Sequence, residues 1–287
     1  MRWEGERESG NVEDLRGIGG RGLAVGGGVG TIVIGLIVWL MGGDPRSVMQ
    51  NSGGGGGAPS GQVAPGGGAP ADDQTTKFVR VVLGSTEDVW RVQFPRQLGR
   101  QYADPKLVLF SGHVQSACGS ASSATGPFYC PGDQQLYLDL SFFRELGTKY
   151  KAPGDFAQAY VIAHEVGHHI QRQLGITTRL DQERRRLSET EYNKLSVRLE
   201  LQADFLAGCW AHHAQRTRKI LEPGDLEEAL RAASAVGDDT LQKRSGRGVV
   251  VPDSFTHGTA RQRMAWFKKG FESGLIKEGD TFKMPDP

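Results

Sequence analysis

The stretch Ala163-His164-Glu165-Val166-Gly167-His168-His169-Ile170 decides how the rest of this chain is read. His164 and His168 are four residues apart, so on a helix they stand one turn above each other on the same face. Both imidazoles then reach a single ion, and neutral imidazole nitrogens suit zinc. Glu165 lies one step round the helix, where it can take a proton from a water on the metal without displacing it. The surrounding residues predict a helix. Asp155 follows Pro153-Gly154 as a start, Gly175 is a stop, and Phe156, Tyr160, Ala163, Ile170 and Leu174 form an apolar face. Gly167 costs about 1 kcal/mol against Ala in mid-helix. A glycine beside the two histidines implies that another backbone or a substrate comes close. His169 lies about 140° round from His164, too far to share the ion.

A catalytic zinc takes a third protein ligand and keeps one open position. Downstream, Glu200-Leu-Gln-Ala-Asp204 places two carboxylates one turn apart. Glu200 is the expected third ligand. Asp204 is expected to accept a hydrogen bond from the non-ligating nitrogen of one histidine and fix its tautomer. The exchange of these two roles stays open at this level. Ala203, Ala207 and Gly208 continue the face and are expected to pack closely against the histidine helix.

These residues resemble the gluzincin pattern of zinc peptidases. More closely, the chain is similar to the bacterial neutral zinc metallopeptidase family. That likeness covers nearly the whole chain, including Gly126-Pro-Phe-Tyr-Cys-Pro131, Tyr137-Leu-Asp-Leu140 and Phe255-Thr-His-Gly258. The resemblance implies an α+β fold, a mainly helical zincin-like domain with a small β-sheet, binding one Zn²⁺ per chain. It implies hydrolysis of peptide or protein substrates by Glu-assisted attack of a zinc-bound water. It also suggests His257, followed by Arg263, as a late residue near the active site that donates to the oxyanion. The segment Leu136 to Leu140, with Tyr137 and Asp139 facing away from the core, is expected to be the edge strand that binds extended substrate. The competing function is a non-catalytic envelope binding module in which zinc only staples two helices; such a site would be closed by four protein ligands.

Outside the motif, composition divides the chain. Of 287 residues, 41 are glycine, and most of these precede residue 75. Leu23 to Met41 is uncharged and just long enough to cross a hydrocarbon core about 30 Å thick. Arg2, Arg7, Arg16 and Arg21 precede it, so the charge bias places the N-terminus in the cytoplasm and the rest outside. An uncleaved anchor is favoured over a signal peptide by the length of the run. The expected organisation is a cytoplasmic leader over 1–22, a transmembrane helix over 23–41, a flexible Gly/Pro/Ala linker over 42–74 and a peptidase domain over 75–287. A net charge of +1 gives no argument for nucleic acid as a partner.

Further elements are read more coarsely. Ser85 to Asp88 resembles a helix N-cap, and Lys106 to Phe110 a strand. Residues 111–132 read as loop, and Gln135 to Leu140 alternates as a half-buried strand. Ser188 to Glu191 resembles a capping box before a long helix, and Thr256 is the expected cap of the last one. Cys118 and Cys130 are close enough in sequence for a disulfide in an oxidising compartment, or they are two free thiols. Cys209 reads as a buried cysteine.

Overall fold

The computed structural model describes residues 1–16, 73–245, 250–285 and 287. Strand β1 (Val12–Asp14) leads to helix α1 (Gln74–Leu98) and then to strands β2 (Lys106–Phe110), β3 (His113–Ser116), β4 (Gly119–Ser122), β5 (Phe128–Cys130) and β6 (Gln135–Asp139). The remainder is helical: α2 (Ser141–Thr148), α3 (Asp155–Gln173), α4 (Ile176–Arg184), α5 (Glu189–Arg218), α6 (Asp225–Ala235), α7 (Asp238–Arg244) and α8 (Ala260–Ser273). The expected α+β character holds, with helices dominant and one four-stranded sheet in the order β1-β2-β6-β5.

The core lies between the sheet and the helices. Leu107, Leu109, Leu136 and Leu138 meet Phe78, Trp90 and Phe94 of α1 and Phe156, Tyr160 and Ile170 of α3 in one buried cluster. Each such side chain contributes about 1.5–3 kcal/mol on leaving water. Phe156 stacks on Trp210 of α5, ring centroids 5.9 Å apart. Trp210 donates its indole N–H to Ser85 at 3.1 Å. That bond explains why Ser85 is no N-cap: α1 starts earlier, capped by Asp73, and runs through Ser85 and Pro95.

The other face of the sheet is covered as well. The β3–β4 hairpin closes over Val108, Phe110, Phe128 and Tyr137, and Cys118 in its turn is bridged to Cys130 at the end of β5. The stretch expected to be loop therefore supplies three strands. It also removes the expected role of β6 as an edge. β6 lies between β2 and β5, pairing parallel with the first and antiparallel with the second. Strand β5 is the edge on that side.

The expected topology is overturned. Val12, Glu13 and Asp14 pair in parallel with Leu107, Val108 and Leu109, so the described part of the leader, residues 1–16, shares one sheet and core with the described residues from 73 onward. Ser9, Asn11 and Arg7 all bond the carboxylate of fully buried Glu87 on α1, at 2.5, 2.7 and 2.7 Å. Segments joined in one sheet lie on one side of any membrane, whereas a single crossing between them would separate them. No helix among the described residues is long and apolar enough to span a bilayer. The anchor expected over 23–41 and most of the linker over 42–74 fall outside the described residues. The β1–β2 pairing contradicts the expected single-pass localisation.

Candidate metal centre

Helix α3 forms the floor of the site. It starts after Gly154 and ends before Gly175, as the sequence reading expected, and buries Phe156, Tyr160, Val166 and Ile170. Burying that face leaves His164, Glu165 and His168 on the side that lines a cleft of about 1150 Å³. Helix α5 crosses it, begun by the Ser188–Glu191 capping box, and carries Glu200 and Asp204 to the same place. The crossing is close because of Gly167. A Cβ there would stand 2.9 Å from the carbonyl oxygen of Ala203 and 3.0 Å from its Cα, so the approaching group is the backbone of α5.

His164, His168 and Glu200 each offer a ligand atom within 4.8 Å of the others. His164 Nε2 is 3.1 Å from Glu200 Oε2, and His168 Nε2 is 3.5 Å from Glu200 Oε1. The opposite ring nitrogens are held from behind. His164 Nδ1 donates to Asp204 Oδ1 at 2.8 Å, and His168 Nδ1 meets Gln171 Oε1 at 2.9 Å.

Asp204 is fully buried and its oxygens are in full use. Oδ1 accepts from His164, from the Tyr160 hydroxyl at 2.5 Å and from Arg263 Nη2 at 3.0 Å; Oδ2 accepts from Arg263 Nε at 2.8 Å. Burial works against its charge, but the Arg263 guanidinium and His164 outweigh it and hold the carboxyl down at about 2. Glu200 is half-buried; desolvation opposes its charge, but His168, His257 and His164 keep it well below the usual carboxylate range. Burial raises the Glu165 carboxyl, with His168 and His164 pulling the other way.

His257 comes to the same cleft. Its Nδ1 faces Asp238 Oδ1 at 3.2 Å, and Oδ2 of Asp238 accepts the backbone N–H groups of Thr256, His257 and Gly258 at 2.8, 2.6 and 2.9 Å. Burial disfavours its charged form, while Glu200 and Asp238 raise its pKa overall. Arg263, which follows it in the sequence, lines the same cleft and secures Asp204.

Two expected site residues lie elsewhere. Tyr137 is buried under the hairpin with its hydroxyl on Asp133 at 2.8 Å. Asp139 is buried and accepts from the backbone N–H groups of Gly112 and Ser141, at 3.0 and 2.9 Å, and from the Ser123 hydroxyl. Neither lines the cleft; from the sheet it is β5, with Phe128 and Tyr129, that does. The sequence reading also missed Tyr160, Gln171 and Asp238 as partners of site residues. Tyr160, four residues before His164 on the same helix face, was legible in principle. Asp238 was not, since it meets His257 through a loop contact.

The chain is 48% identical to "Uncharacterized protein YpfJ" of Escherichia coli (strain K12) over 299 residues, covering 98% of this chain and 99% of that one. It is 41% identical to "Uncharacterized protein Mb2605" of Mycobacterium bovis over 217 residues, 72% of this chain and 70% of that one. No solved structure matches it. The family model for neutral zinc metallopeptidases matches residues 1–282. From its first strand to its last helix, then, the chain belongs to the neutral zinc metallopeptidase family.

Proposed function

We propose that this chain is a zinc-dependent endopeptidase, with one zinc ion held by His164, His168 and Glu200 and with Glu165 as the proton-transferring base. The observation that carries the reading is the convergence of two imidazole nitrogens and one carboxylate beside Glu165 in a single cleft. The donor set fits the metal. Ligand atoms on a tetrahedral zinc with bonds of about 2.0–2.1 Å lie about 3.3 Å apart, and the gaps here are 3.1 and 3.5 Å. Asp204 is read as the residue that orients His164 rather than as a ligand, because both of its oxygens are already engaged by four donors.

When bound, the metal polarises the scissile carbonyl and makes an attacking water acidic near neutrality. Glu165 takes the proton of that water on its carboxylate and returns it to the leaving nitrogen. Its burial brings its affinity for a proton closer to what both halves of that transfer need. With Nδ1 of His257 occupied by Asp238, the other ring nitrogen is the one free to donate to the oxyanion. An extended substrate is read as lying along the open edge of β5, where main-chain hydrogen bonds tolerate varied side chains.

The alternative, a binding module with a structural zinc, calls for a fourth protein ligand. Among the described residues no fourth His, Cys, Asp or Glu joins the cluster, which favours the catalytic reading. Chelation followed by zinc re-addition tests it. Peptide hydrolysis should vanish and return, and Glu200→Ala should weaken zinc affinity more than Asp204→Ala, for which a loss of about 10–100-fold is expected. Hydrolysis that survives complete metal removal would refute the reading.

A further inference from the structure

Helix α3 gives the cleft two different ends. At its N-terminal end the lining is apolar, with Val161 of α3 and Phe142 and Tyr150 beside it. At its C-terminal end the wall is the last turn of α3, α4 and the start of α5, with Arg172 on α3, Arg184 at the end of α4 and Arg185 just after it. Among the described residues none of these three guanidinium groups has a carboxylate partner within 4.0 Å. Arg172 Nη1 donates to the Thr178 hydroxyl. Arg184 stacks on the ring of Tyr192, its guanidinium carbon 4.4 Å from the centroid, which fixes it without neutralising it. Asp181 and Glu189 share this wall; Asp181 feels the charges of Arg172 and Arg184, but neither acid comes within 4.0 Å of any of the three guanidinium groups. Arg263, which also reaches the cleft, is by contrast committed to Asp204.

The direction of a bound chain follows from β5. Just before that strand, Gly126 stands against the Phe142 ring, where a Cβ would be 3.6 Å away. Tyr129, within the strand, packs edge-on against His169 with centroids 5.5 Å apart and lies close enough to Arg172 to feel its charge. Strand β5 therefore runs from the apolar end to the arginine end. A peptide added antiparallel to its open edge runs the other way, with its N-terminal part at the arginines. From the middle of the histidine pair to Arg172 is about six residues of helix, or roughly 9 Å. That distance is about three residues of extended chain.

We propose that Arg172 and Arg184, supported by Arg185, form a selectivity subsite for an acidic side chain about two to four residues N-terminal to the scissile bond. The proposal rests on the peptidase reading above and deepens it. A carboxylate reaching this wall meets guanidinium groups not already paired with an acid, with Arg172 half-buried and hence less screened than a surface charge.

The test uses the zinc-loaded full chain and peptides that differ only by Glu, Gln or Lys at each position flanking the cleaved bond. Cleavage is followed by mass spectrometry. The same peptides are titrated against zinc-loaded Glu165→Gln, so that binding is read without turnover. The expected result is a preference of about three- to tenfold for Glu over Gln on the N-terminal side. It should be lost in Arg172→Gln and Arg184→Gln, and turned toward Lys in Arg184→Glu. Equal handling of Glu, Gln and Lys, or an acidic preference confined to the C-terminal side, overturns the proposal. If no peptide is cleaved, the peptidase reading fails, while the titration still decides this one: acid-selective binding that needs Arg172 and Arg184 upholds it, and indifferent binding ends it.

Discussion

His164 is the residue on which most of the site's constraints meet. Asp204 holds its Nδ1, Tyr160 and Arg263 hold Asp204, and Glu200 faces its Nε2. In the metal-free protein burial disfavours its charge, but Asp204 and Glu200 prevail and lift its pKa to about 9. The sign of the consequence is definite. Such a group lends the metal-free fold a stabilisation complete below about pH 6.5, its unfolded value, and lost as pH rises through about 9. The proposed zinc needs the neutral ring, so protons compete with it at every pH below about 9. Apparent zinc affinity, measured by chelator competition, should climb with pH up to about 9 and then level off. A flat profile would contradict this account of His164. At this scale the sequence was most informative: the i, i+4 spacings of His164 with His168 and of Glu200 with Asp204 follow from helix geometry alone. What stayed hidden was the support from Asp238 and Gln171, and the covered position of Tyr137 and Asp139, because these depend on how distant elements meet.

Helix α5 illustrates how far element-level reading reaches. Its small residues were expected to face the histidine helix as one stripe. Ala203 does so, against Gly167, but Gly208 faces α8. Five residues at about 100° each set Gly208 about 140° round from Ala203, so the two small residues lie on different faces and meet different helices. At that second crossing a Cβ on Gly270 would lie 2.0 Å from the carbonyl oxygen of Phe205, and one on Gly208 would lie 2.1 Å from that of Phe267. Gly270→Ala should therefore destabilise the protein by about 1–3 kcal/mol through overpacking. Since α8 also carries Arg263, zinc affinity should fall with it. Chemical denaturation together with metal titration checks both, and an unaltered midpoint would mean that the contact is looser than described. The last helix is capped by Thr259, whose side chain is paired with Gln262, rather than by Thr256, which bonds the ring of His257. The strands within 111–132 escaped notice because three- and four-residue strands rich in Ser and Gly are too short to display a period-2 pattern.

At the scale of the whole molecule, the N-terminal residues matter most. The glycine-rich stretch made the leader look separate, and no local pattern announces that Val12–Asp14 will pair with a strand almost a hundred residues later. A fragment of residues 73–287 would leave buried Glu87 without Arg7, Ser9 and Asn11 and would bare the edge of β2. Loss of the partners of a buried charge costs about 3 kcal/mol or more, so the fragment should unfold at distinctly lower denaturant than the full chain; equal midpoints would show the N-terminal strand to be dispensable. The family assignment spans the chain from that strand to the last helix. The account as a whole is tested most directly by comparing zinc-loaded wild type with zinc-loaded Glu165→Gln at equal metal content in one peptide-hydrolysis assay. The expected result is that the variant keeps one zinc per chain while turnover drops by about 10²–10⁴-fold; full turnover in the variant, or a wild type that binds zinc and cleaves nothing, would contradict it.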